Sequence, residues 1–155
     1  MEIKVLAGAE SVAREGAAII AAEARAAVAA RGRFILAVSG GQTPWLMLRD
    51  LAGEDMPWNA VHMAQVDERV APAGHPERNL THLRESLLEH APLRAEQVYA
   101  MPVEASDLET AASQYAESLR AIAGSPPVFD LVHLGLGPDG HTASLVPGDP
   151  VLGVH

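Results

Sequence analysis

Short apolar runs alternate along this chain with longer stretches of helix-forming residues, and that alternation constrains the fold more than any other feature. Ile3 to Leu6 reads as a first strand. From about Ser11 to Ala30, alanine with interspersed Glu and Arg predicts a helix, and Gly32 sits where its C-terminal cap belongs. Arg33 to Val38 predicts a buried strand. A helix is then expected from Pro44 to Leu51, with Thr43 as N-cap and Pro44 in its first turn. Trp58 to Val66 predicts the next strand, and Asn79 caps a helix running to about His90. Gln97 to Met101 suggests another strand. Ser106-Asp107-Leu108-Glu109 has the form of a capping box, opening a helix to about Ala123, and Val128 to Leu136 reads as a last apolar strand. Strands alternating with helices predict an α/β fold with a doubly wound, mostly parallel sheet covered by helices on both faces.

Composition narrows the function classes. The 155 residues fit one domain, and 48% apolar content with 20% charged is that of a chain that folds. Twenty acidic against eleven basic residues leave a net charge of −9, which disfavours nucleic acid or anionic membranes as partners. The absence of cysteine excludes disulfides, thiolate metal sites and cysteine nucleophiles. The alanine-rich stretch Ala17 to Ala30 carries Glu23 and Arg25, and no apolar run approaches the roughly 20 residues that span a bilayer. Met1-Glu2-Ile3-Lys4-Val5 lacks the form of a signal peptide, so a cytoplasmic location is expected.

Three unusual loops, after Val38, Val66 and Leu134, each follow a predicted strand. In a parallel sheet all three open on one edge, where such sheets bind ligands. Ser39-Gly40-Gly41-Gln42-Thr43-Pro44 joins a strand to a helix. Its glycines permit close backbone approach, and the helix N-terminus favours an anion such as phosphate, although a plain tight turn has the same composition. The carboxylates of Asp67-Glu68-Arg69 stand where acid/base groups work, and Arg69 can grip a phosphate, although an exposed charged turn reads the same way. In Gly135-Leu136-Gly137-Pro138-Asp139-Gly140-His141 the glycines and proline force a defined path. His141 there can take a proton from water, and Asp139 can orient it if the loop bends enough. A surface histidine in a glycine-rich turn is the alternative.

Other candidates carry less. His75, His82 and His90 lack the spacing of a helical metal pair. His62 and His133 lie within predicted strands and are read as packed or hydrogen-bonded core residues. Ser39 and Ser144 have no nucleophile-elbow sequence around them. Trp45, Trp58, Met47 and Met63 are read as packing residues.

The three loops, in this order, resemble the glucosamine-6-phosphate isomerase/6-phosphogluconolactonase family. The resemblance rests on Ser39 to Pro44, Asp67-Glu68-Arg69-Val70-Ala71-Pro72, and Gly135 to Leu145, and it spans nearly the whole chain. It implies a Rossmann-like fold. Within the family, deaminases place a glutamate five residues after the loop histidine; here that position is Val146, which cannot transfer a proton. The resemblance therefore implies the lactonase reaction, hydrolysis of 6-phospho-D-glucono-1,5-lactone to 6-phosphogluconate in the oxidative pentose phosphate pathway. A deaminase-type enzyme and a non-catalytic sugar-phosphate-binding fragment are the alternatives.

By that resemblance His141 is the general base, and Asp139 or Asp67 orients and charge-stabilises it. Ser39, Gly40, Gly41 and Thr43 hold the substrate phosphate with Arg69. Where the family commonly has Ser-Asn after the acidic loop, this chain has Arg78-Asn79, and Arg78 either adds a phosphate contact or is exposed. The hydrolysis requires no metal or nucleotide, so no cofactor is expected. The turn-rich segment Pro147 to His155 has no closing helix or strand. With the resemblance, it predicts that the chain is a truncated form comprising roughly two-thirds of a longer domain. A monomer is expected, with association at the uncovered sheet edge as the consequence of truncation.

Overall fold

Alanine dominates α1 (Ala9–Arg31), and its side chains leave room for a close helix neighbour. Ala13, Ala17, Ala21 and Ala24 recur on one helical face and are buried to the last. They pack on α2 (Gln42–Ala52), where a Cβ placed at Gly16 would come within 2.8 Å of Met47 Sδ. Gly32 ends α1 as expected, at φ 75°, its N–H bonded to Val28 O at 2.8 Å.

The structure, a computed structural model, describes residues 2–154; Met1 and His155 lie outside them. β1 (Phe34–Val38), β2 (Val61–Gln65), β3 (Val98–Tyr99) and β4 (Leu131–Val132) form one parallel sheet in the order β3-β2-β1-β4. All of β1 is buried, as a central parallel strand requires. Phe34, Leu36 and Val38 join the core formed with α1, α2 and Leu83 and Leu87. Ile35 and Ala37 are buried on the opposite face. α4 (Leu108–Ala123) lies against β3, and its buried Tyr115 reaches the end of β2: the hydroxyl accepts from Gln65 N–H at 3.0 Å and donates to Gln65 O at 2.9 Å. These bonds replace ladder partners beyond the two-residue β3, and burial pushes the Tyr115 hydroxyl up to about 12.

The chain steps from β1 to β2 to β3 in one direction, then returns to place β4 on the other side of β1. The order therefore reverses between β1 and β4, and their C-terminal ends flank the switch point at which open α/β sheets bind ligands.

Several expectations are corrected. Ile3 to Leu6 is not a strand; Ile3 and Val5 project into solvent while Lys4 pairs with Glu15 of α1. The strand expected over Val128 to Leu136 contracts to β4, because Asp130 Oδ2 takes the Ile35 N–H at 2.8 Å and Gly135 begins a turn. Trp58–Ala60 is a 3₁₀ turn preceding β2. Gly41, rather than Thr43, is the N-cap of α2. Arg78, rather than Asn79, flanks the start of α3 (Asn79–Leu83), which continues as a π-helical turn over Arg84–Leu88. Asp107 rather than Ser106 caps α4, accepting from the N–H groups of Glu109 and Thr110.

Candidate active site

The turn after β1 has a steric reason for its glycines. A Cβ at Gly40 would stand 2.0 Å from Asn79 Oδ1, so only glycine lets the Asn79 amide cross this turn and donate to Asp67 O at 3.1 Å. Gly41 adopts φ 124°, a backbone that side chains rarely tolerate. No side chain caps α2, so its first N–H groups and the positive end of its dipole open on the cleft with Thr43 in the first turn.

After β2, the three residues Asp67-Glu68-Arg69 diverge. The Glu68 carboxylate is sealed from solvent and accepts from Gln65 Nε2 (3.0 Å) and from the N–H groups of Arg69 (2.8 Å), Asn79 (2.7 Å) and Leu80 (3.0 Å). Arg78 Nε lies 3.0 Å away. Burial alone would raise the Glu68 pKa; these donors outweigh it and hold the carboxyl below its ordinary range. Glu68 is thus a structural hub that caps α3 with charge, not an acid/base group. Arg78 is neither a phosphate contact nor exposed. It is 2% accessible, pairs with Glu104 at 2.8 Å and donates to Ala71 O at 2.8 Å. Arg69 lines the same cleft as the Gly40 turn and makes no ion pair among the described residues.

The loop after β4 supplies the bend that its residue types allow. Gly140 N–H bonds Gly137 O at 3.0 Å and Gly137 N–H bonds His141 O at 2.8 Å, with Gly140 at φ 88°. Asp139 Oδ1 accepts the His141 N–H at 3.2 Å as an Asx turn and meets His141 Nδ1 at 2.5 Å. The His141 ring and backbone N–H together hold the Asp139 carboxyl below its ordinary range. With Nδ1 engaged, Nε2 of the half-exposed ring is the nitrogen left for chemistry. Beyond the pair, Thr142 Oγ1 donates to Gly135 O at 2.9 Å. A turn closed by Leu145 N–H to Thr142 O holds Ala143 at φ 51°. Ser144 Oγ then donates to Asp67 Oδ2 at 3.0 Å. Asp139 is therefore the carboxylate in contact with the His141 ring, while Asp67 is tied to the loop that carries it.

One open cleft of about 830 Å³ brings these parts together: Ser39, Gly40, Gly41, Thr43, Asp67, Arg69 and His141 all line it. Two residues expected to pack in the interior, Trp45 and His133, also line it. Trp45 stacks on His82 with ring centroids 3.8 Å apart. His133, expected in the core, stands at the end of β4 with Nδ1 buried and unpartnered; burial lowers its pKa. The other strand histidine, His62, is hydrogen-bonded as expected, to Tyr99 at 3.2 Å. The position of His133 two residues before Gly135, at a strand's C-terminal end, is the signal that could have placed it in the cleft.

Fold and cleft together define an α/β protein with an open cleft at the switch point of a parallel sheet. The chain belongs to the glucosamine-6-phosphate isomerases/6-phosphogluconolactonase family, whose model matches residues 7–155. It is similar to the 6-phosphogluconolactonase of Synechocystis sp., with 39% identity over 123 residues that cover 77% of this chain and 51% of that protein. Among solved structures it is similar to 6-phosphogluconolactonase from Thermotoga maritima (TM-score 0.81, 27% identity, 91% of this chain and 62% of that one). It is likewise similar to the Trypanosoma brucei enzyme (TM-score 0.81, 28% identity, 95% of this chain and 64% of that one). The chain spans about half the length of the curated relatives it matches.

Proposed function

We propose that the cleft hydrolyses 6-phospho-D-glucono-1,5-lactone to 6-phosphogluconate. The observation that carries this reading is the convergence of His141, whose Nδ1 meets Asp139, with the Gly40–Gly41 turn on one cleft, although the two lie about a hundred residues apart in sequence. The substrate phosphate sits on the uncapped N-terminus of α2, held by the backbone of Ser39 to Gly41, the Thr43 hydroxyl and the Arg69 guanidinium. The sugar then extends toward β4.

His141 Nε2 removes a proton from a water whose oxygen attacks the lactone carbonyl carbon. When the tetrahedral intermediate collapses, the bond from that carbon to the ring oxygen breaks and the same nitrogen returns the proton to the departing oxygen. Asp139 keeps Nδ1 protonated and stabilises the transient imidazolium. Asp67 acts through Ser144, setting the position of the loop. Val146, where a deaminase needs its acid/base glutamate, favours hydrolysis over amine release. The reaction is that of a cytoplasmic sugar-phosphate enzyme of the pentose phosphate pathway, and it uses no cofactor.

The test is acid release from the lactone, followed by pH-stat against the spontaneous rate. The chain is expected to accelerate hydrolysis, and His141→Ala to lower turnover by about 10²–10⁴-fold. A folded His141→Ala protein with undiminished turnover overturns the assignment.

A further inference from the structure

His133, like Glu77, is a titratable residue lining the cleft that the proposed mechanism leaves unused. Its backbone N–H is fixed to Ala37 O at 2.8 Å, so the residue is anchored on the sheet at the switch point rather than on a loop. Of its two ring nitrogens only Nδ1 is sealed without a partner; Nε2, which no protein group engages either, is not sealed in this way, and the residue lines the cleft. A neutral imidazole carries one N–H and one lone pair. An orphaned buried N–H is rarer than an orphaned acceptor, so Nδ1 holds the lone pair and the proton sits on Nε2. Burial also keeps the ring neutral at neutral pH.

We propose that His133 is a substrate-contacting specificity residue that donates a hydrogen bond from Nε2 to an uncharged oxygen of the sugar, a hydroxyl or the ring oxygen, rather than to the phosphate. An uncharged donor at the end of β4 suits an uncharged acceptor, while the anion is already served by the α2 N-terminus and Arg69. The assignment rests on the proposed lactonase reading and adds to it a residue that distinguishes a sugar phosphate from phosphate alone.

Calorimetric titration of the full chain with 6-phosphogluconate and, separately, with inorganic phosphate tests it. His133→Leu is expected to weaken 6-phosphogluconate about tenfold and leave phosphate unchanged. His133→Gln, whose amide nitrogen can reach the Nε2 position, recovers most of the loss. Because His133→Leu removes a buried orphan nitrogen, its melting temperature does not fall. Long-range ¹H–¹⁵N NMR of the unaltered chain should show the Nε2–H tautomer, with a shift on adding 6-phosphogluconate but not phosphate. Equal 6-phosphogluconate affinity in His133→Leu, or an Nδ1–H tautomer, overturns the role of His133 alone. No binding of 6-phosphogluconate by the unaltered chain overturns the lactonase reading with it.

Discussion

A methyl group added at Gly137 would sit 2.2 Å from both Cε1 and Nδ1 of His141 and 2.8 Å from Asp139 Oδ1. No rotation of a Cβ relieves such a contact, so the ring must leave the carboxylate. Gly137→Ala is accordingly expected to cost about 10²-fold or more in lactone turnover while the far-ultraviolet circular dichroism is unchanged. Turnover within threefold of the parent would show that the pair is not the reacting group. The sequence makes this loop's importance visible through the density of glycine and proline, and it leaves the bend as a condition for Asp139 to reach His141. The structure meets that condition with Gly140 at positive φ and the Asx turn. Arg78 was not legible in the same way. Its partners Glu68 and Glu104 are 10 and 26 positions distant, and nothing local marks an arginine that burial will pair.

At the scale of elements, α1 was legible almost to the residue because alanine content, charge spacing and Gly32 agree. β4 was not, because an apolar run signals burial without saying how much of it a neighbour will pair. Val128 and Leu136 belong to that run and remain exposed, at 69% and 82%. The close approach of α1 to α2 depends on alanine having no bulk beyond Cβ. Ala21→Leu places three further carbons at a site with no accessible surface, and is expected to destabilise the fold by about 1–3 kcal/mol. Chemical denaturation reads this as a lower midpoint with an unaltered slope. A neutral or stabilising result would mean that the helices do not meet along that stripe.

For the whole molecule, the shifted groups bound the pH range over which the fold is most stable. His62 and His133 have folded pKa values lowered chiefly by burial, so as pH drops below about 6.5 the unfolded chain takes up protons first and stability falls. Glu68 and Asp139 are also lowered, as carboxylates held by donors. Their contribution is fully present above the unfolded carboxylate value, about 4, and is lost as pH falls through the folded one. Tyr115 works in the opposite direction. Its folded value is raised to about 12, so its contribution is intact below the unfolded value of about 10 and disappears as pH rises through the folded one. The melting temperature should therefore hold a plateau between about pH 7 and pH 10. It should decline in two stages on the acid side and in one on the alkaline side. Glu68→Gln provides the internal check: it leaves Arg78 with the exposed Glu104 as its ionic partner, lowering stability at neutral pH by about 1–3 kcal/mol, and makes the acid limb shallower. If the variant instead keeps the parent's stability and the parent's acid limb, the carboxylate beneath α3 is not what ties the β2 loop to that helix. The position of Asp67, which reaches the His141 loop through Ser144, would then have to be set by other contacts.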